Sequence, residues 1–338
     1  MKSLTRFVRE HMIVVALLLI SIPAAVGLYF FLKDKSVLQV VPGETITGFN
    51  INTNKFSVDP DKLTGGGPTK DGIPSIDNPK FETAAEAEKW LKDEDPVFGI
   101  VHKGEARAYP QRILVWHEIV NETIAGDPIL ITYCPLCGTA IAFERKIDGV
   151  EVEFGVSGKL YNSNLVMYSR INDKIKTESL WAQATGEAIV GDSTGTKLSQ
   201  IPIDTVKWKD WVAQHSDTKV LSQDTGFSRD YNRDPYDDYY TTKGVIAPLE
   251  NTDDRLFEKA VVFGVVIDGK AKAYPEEELK KNPEFTEQFA GKELKVIRNA
   301  DGSVHIQNLT DEEEVIPTIS FWFAWAAFYP ESEIYTAN

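Results

Sequence analysis

From residue 12 to 32 the chain reads MIVVALLLISIPAAVGLYFFL without a charge, between a basic head (Lys2, Arg6, Arg9) and Lys33, Asp34 and Lys35. About 20 apolar residues at ~1.5 Å each cross a hydrocarbon core of roughly 30 Å, so the pattern predicts one transmembrane helix. Apolar chain continues past Ala24 and Ala25, which favours an uncleaved anchor over a signal peptide. The slight basic excess before the span places the N-terminus in the cytoplasm and everything beyond about residue 36 outside.

After the span the period changes. Short apolar runs at 98–101 and 106–109 flank Lys103-Gly104 and read as a hairpin. Residues 128–133 and 139–143 read as strands, and Asp148-Gly149 is a hairpin turn leading into 150–154. Helical spacing is confined to 84–92, 111–120 and 205–214, so the class expected is α+β and β-rich. Gly65-Gly66-Gly67-Pro68 marks a linker.

Two stretches nearly repeat: VFGIVHKGEARAYP at 97–110 and VFGVVIDGKAKAYP at 262–275. At the same spacing, Ala125-Gly126 meets Ala290-Gly291, and the block around Trp208 and Trp211 meets that around Trp322 and Trp325. Ordered agreement of this kind predicts a tandem duplication of one domain. The organisation expected is a basic head and anchor over 1–35, a stalk over 36–75 and a first repeat over 76–225. A connector over 226–254 and a shorter, degenerate second repeat over 255–338 complete it.

Composition narrows the function classes. A net charge of −15 argues against nucleic acid and against an anionic lipid surface as partners. With 42% hydrophobic residues and seven Trp, the region beyond the anchor has ordinary globular composition. Two cysteines are too few for a disulfide scaffold.

The candidate chemistry sits in Tyr133-Cys134-Pro135-Leu136-Cys137-Gly138, with His117 upstream. Carried across the repeat, His117 becomes Asn282, Cys134 becomes Asn299 and Cys137 becomes Gly302. Their joint loss points to one shared site. Three readings stay open. A metal knuckle between two strands would hold copper or zinc through Cys134, Cys137 and His117, completed by a carboxylate, Met167 or water. A dithiol pair on a non-thioredoxin scaffold would do redox chemistry. A plain disulfide would suit a surface binding module in an oxidising compartment. The stretches at 154–164 and 177–183 are missing from the second copy; Tyr161, Asn162, Ser163, Glu178 and Trp181 in them suit a pocket wall.

Other features are weaker. His102, His215 and His305 read as surface residues, Glu122 as solvated, and Asp230, Asp234, Asp237 and Asp238 as a charged turn. No phosphate loop, serine elbow or zinc-protease helix motif is present.

At Trp116-His117-Glu118-Ile119-Val120-Asn121, the Cys-Pro-Leu-Cys-Gly segment, Ser157-Gly158 with Tyr161-Asn162-Ser163, Glu178-Ser179-Leu180-Trp181 and Phe321-Trp322-Phe323-Ala324-Trp325, the chain resembles the DUF3179 family. The resemblance runs from about residue 70 to 336 and implies a secreted or membrane-tethered protein; it supplies no substrate. The function expected is an extracytoplasmic, membrane-anchored protein that binds copper or zinc at His117, Cys134 and Cys137. A partner in the membrane or at the surface fits such a tether.

Overall fold

The computed structural model describes residues 46–337. The span at 12–32 lies outside the described residues, and among those described no helix is long and apolar enough to cross a membrane. Five short α-helices are described: α1 (Ala84–Ala87), α2 (Gln111–His117), α3 (Trp208–Gln214), α4 (Glu276–Lys281) and α5 (Trp322–Phe328). Strands dominate, in five sheets of four or five strands each, a β-propeller-like arrangement, with one further two-stranded hairpin, Lys146–Ile147 with Val150–Glu151.

This corrects the expected class. The protein is β-rich, not an α+β tandem duplication of one domain. The five-stranded sheet Thr64–Gly65, Phe154–Tyr161, Asn164–Ser169, Ser179–Ala182, Glu187–Gly191 draws every strand from the first 191 residues. Nor are the two stretches of chain packed apart. One apolar cluster joins Cys134, Cys137, Phe154 and Trp181 to Phe321, Phe323 and Ala324 near the end of the chain.

The sequence repeat reflects a smaller unit, a sheet with a helix on it. In one sheet Asp204–Lys207, Pro96–His102, Glu105–Pro110 and Lys219–Leu221 lie side by side, with Phe81–Thr83 outside them. In another, Thr318–Phe321, Val261–Ile267, Lys270–Pro275 and Glu333–Ile334 take the same order. Each has one parallel pairing, Val220 with Ala108 and Ile334 with Ala273. The shared Phe-Gly and Trp-x-x-Trp motifs have one physical cause. A Cβ on Gly99 would lie 2.3 Å from the Trp211 ring, and one on Gly264 would lie 2.2 Å from Trp325. The indoles press on bare backbone, and their N–H groups are fixed to Thr218 at 3.0 Å and Ser332 at 2.8 Å.

The expected hairpins form: Pro96–His102 with Glu105–Pro110, and Asp127–Cys134 with Thr139–Glu144. The helix expected over 111–120 stops at His117, because Glu118 turns left-handed (φ 58°) and Ile119–Ile124 becomes a strand. The described part of the expected stalk is folded. Thr64–Gly65 pairs with Leu160 and Lys159, and Leu63 is buried.

Candidate functional site

The strand Asp127–Cys134 runs into a single 3-10 turn, Pro135–Cys137, and the chain returns as Thr139–Glu144. Gly138 closes the turn at φ 60°, where a side chain would be strained. Its Cβ would also meet the Phe321 ring at 2.9 Å. Both sulfurs therefore face inward from one tight corner, and both cysteines are free thiols, 1% and 0% exposed.

The two thiols have opposite environments. Burial pushes Cys134 up, but the Cys137 thiol and the backbone at Leu165, Cys137 and Leu136 hydrogen-bond to it and hold it below the usual thiol range. Cys137 is held well above that range by burial and by the sulfur of Cys134. Its one S–H is shared between the Cys134 sulfur and the Ser163 carbonyl at 3.2 Å, and the Asn164 amide donates to its sulfur at 3.5 Å. Asn164 is fixed in turn by Gln183 at 2.8 Å, which reaches Thr132 at 3.0 Å and the Thr139 carbonyl at 3.2 Å. A proton belongs on Cys137, and negative charge is stabilised on Cys134.

Beside them lies Glu118. Its carboxyl is buried and is pushed well above the usual range, by burial first and then by the charge of Cys134. It faces a cavity of about 30 Å³ with Leu136, Leu165, Lys159 and Tyr236, room for about one water.

His117 is positioned for something else. One ring nitrogen, Nδ1, lies 2.7 Å from the Pro74 carbonyl and the other, Nε2, 2.7 Å from the Tyr231 hydroxyl. A carbonyl only accepts, so Nδ1 carries the proton and Nε2 accepts from Tyr231. Burial holds the ring neutral, down to about 4. Among the described residues, no three His, Cys, Asp or Glu are arranged to hold a metal ion.

The expected pocket residues divide. Met167 and Trp181 are fully buried, face each other across neighbouring strands and join the apolar cluster around the sulfurs. Ser163 supplies the carbonyl that Cys137 uses, while its own hydroxyl and the Trp181 N–H are buried without a partner among the described residues. Tyr161 and Asn162 point to the far end of the connector, to Glu250. Glu178 serves the entry segment instead: it pairs with Lys70 at 2.5 Å and accepts from the Asn50 N–H at 2.8 Å. Lys70 itself sits between the Phe49 and Tyr168 rings.

Glu118, Tyr236 and Tyr239 are the residues that sequence reasoning missed. The joint loss in the second sheet unit carried a usable signal for Glu118, since the position aligned with it there is Pro283. The tyrosines had no such signal, because their partners lie about a hundred residues away.

No curated protein matches this chain. No solved structure matches it either. The family model described as "Protein of unknown function (DUF3179)" matches residues 70–317, most of the chain and both cysteines, and the chain therefore belongs to the DUF3179 family.

Proposed function

We propose that the protein is a dithiol redox protein acting outside the membrane, with Cys134 and Cys137 as its exchanging pair. The observation that carries this reading is the asymmetry of two free, touching thiols: Cys134 is stabilised as thiolate and Cys137 is kept as thiol on the Ser163 carbonyl. That is the division of labour between an attacking and a resolving cysteine.

The co-substrate is a disulfide, RS–SR. Cys134 thiolate attacks one sulfur, the S–S bond breaks, and the departing RS⁻ takes the proton of Glu118 to leave as RSH. Loss of the Cys134 charge removes one of the two influences that hold Glu118 neutral, which eases release of its proton; burial still raises the carboxyl, so the carboxylate left behind can take the Cys137 proton. Cys137 attacks Cys134 and displaces the second RS⁻. Two electrons have moved to the co-substrate, Glu118 is protonated again, and the pair is a disulfide. The apolar tether expected at 12–32 would hold this chemistry at the outer membrane face, where disulfide partners are available.

A metal reading has one observation in its favour, the strand–turn–strand knuckle with backbone N–H groups around Cys134. Copper or zinc held there would need Cys137 as thiolate, 3.2 Å from a carbonyl oxygen that repels it. One experiment separates the two: anaerobic purification, metal content, and equilibration of the pair against glutathione buffers. The redox reading expects metal-free protein that cycles between dithiol and disulfide, with cycling lost in both Cys134→Ser and Cys137→Ser. Stoichiometric copper or zinc, lost with either substitution, would overturn it.

A further inference from the structure

Both sulfurs are buried, and the cavity beside Glu118 admits little more than a water. A disulfide co-substrate therefore needs a way in, and one segment covers the site. Residues 225–251, nearly all of them in the connector expected over 226–254, pass over the turn with only the single 3-10 turn Asp237–Tyr240 as regular structure. Tyr236, Tyr239 and Ala247 are buried in the same apolar cluster as the cysteines, with Tyr240, Val245, Ile246 and Leu249 packed against it.

The way this segment is held is distinctive. Among the described residues, the backbone-to-backbone hydrogen bonds of 232–249 stay within the segment, such as Arg233 to Asp230 and Tyr239 to Tyr236. No strand of it joins a sheet. It is attached through side chains: Trp116 donates to the Arg233 carbonyl at 3.0 Å, Lys259 donates to the Thr242 carbonyl at 2.5 Å, the Gly244 N–H donates to Glu258, and three further anchors mark its start, end and middle. At the start, the Thr225 hydroxyl lies 2.5 Å from Tyr231, whose O–H donates to His117. Tyr231 can give its proton only to His117, so it must accept from Thr225, and the chain of bonds runs one way. At the end, the Glu250 N–H donates to Asn162 at 2.8 Å and Asn251 donates to the Ala327 carbonyl at 3.2 Å. In the middle, the Tyr239 hydroxyl donates to the carbonyl of Leu136, between the two cysteines, at 3.0 Å.

We infer that residues 232–249 form a strap, pinned at both ends and released in the middle, that controls access to Cys134 and Cys137. Segments held without sheet hydrogen bonds open at lower free energy than the sheets they cover. Releasing Tyr239 from Leu136 and lifting Tyr236 off the cavity uncovers the corner of the chain that carries both sulfurs, while His117 and Asn162 keep the ends in place. The inference rests on the dithiol reading only for what enters; the covering itself is independent of it.

The test is alkylation of the reduced full-length protein by iodoacetamide under native conditions, followed by mass, in wild type, Tyr239→Phe and Tyr231→Phe. Tyr239→Phe keeps the ring and removes only the bond to Leu136; a buried hydrogen bond of this kind is expected to change the opening equilibrium about tenfold. Faster alkylation of Cys134 and Cys137 in Tyr239→Phe, by about tenfold and with little dependence on low urea, supports the strap. A smaller acceleration is expected for Tyr231→Phe. Equal rates in all three proteins would overturn it. So would a urea dependence equal to that of global unfolding, or wild-type thiols as reactive as a free surface thiol. The redox reading is scored separately by exchange with oxidised glutathione. Strap-dependent alkylation without exchange refutes the redox chemistry and leaves the strap standing; exchange with equal alkylation rates does the reverse.

Discussion

His117 is the residue whose role changed most between sequence and structure, and its burial has a measurable consequence. The ring is pushed down from 6.5 to about 4, chiefly by burial, with Arg229 adding to the effect and the Pro74 carbonyl opposing it. Between those values the unfolded chain binds a proton that the folded chain refuses. Stability contributed at this site therefore falls as pH drops from about 6.5 to about 4. At about 1.4 kcal/mol per pH unit the gap caps the loss at about 3.5 kcal/mol, and partial contact of the ring with solvent lowers it. Glu122 works in the opposite direction. It is raised to about 7, mainly by burial, so its folded form gains protons first and stability rises as pH falls from about 7 towards 4.5. Glu118 shares that sign. The useful quantity is therefore the difference between wild type and His117→Asn, which has no titrating ring. At pH 7.5 the variant should be less stable by about 2 kcal/mol, because the Tyr231 hydroxyl and the Pro74 carbonyl lose their shared partner. By pH 4.5 that deficit should shrink or vanish. Urea unfolding followed by circular dichroism at half-unit steps of pH reads it directly. A deficit that is constant or grows towards pH 4.5 would show that His117 is not held neutral, and the assignment of Nε2 as acceptor would fall with it.

Three further outcomes follow from packing. Gly99→Ala and Gly264→Ala should each cost ~1–3 kcal/mol in chemical denaturation, since both press a methyl into an indole ring; a neutral result at either would refute the close packing there. Lys70→Met should lower stability by about 2 kcal/mol by leaving Glu178 buried without its cation, less than the ~3–5 of a fully buried pair because the Lys70 side chain is 25% exposed. A thermal melt unchanged by that substitution would place Glu178 in solvent. Gly138→Ala should destabilise by more than ~1 kcal/mol through its left-handed backbone and the Phe321 ring, and should also speed alkylation of both cysteines; retention of wild-type stability would sink the knuckle geometry.

Much of the local structure was legible because its causes are local. Lys103-Gly104 and Asp148-Gly149 announce their hairpins, and Cys-Pro-Leu-Cys-Gly announces a tight turn between strands. The repeated blocks were read correctly as a shared pattern but at too large a scale. Gly99 under Trp211 and Gly264 under Trp325 impose the same residues on two sheets, and that demand says nothing about a whole domain. Helix spacing at 111–120 misled because Glu118 breaks the helix in a left-handed conformation that its residue type does not advertise. Glu178 and Trp181 looked alike on the chain, yet one pairs with Lys70 and the other packs beside the sulfurs. The tyrosines of the strap carried no periodicity, so burial over the site was invisible until the chain was folded.

The cluster that encloses the cysteines takes Phe321, Phe323 and Ala324 from the last helix and the strand before it. Thr139, two residues past Cys137, is tied to Ser320 at 3.2 Å. A chain delivered N-terminus first therefore presents an uncovered thiol pair for most of its emergence, and the shelter closes only when residues 318–324 arrive. Order of synthesis thus sets a window in which the pair is open to any oxidant it encounters before residues 318–324 dock. The closing of the site is therefore one of the last events of folding, set by the docking of the helix Trp322–Phe328 and the strand before it.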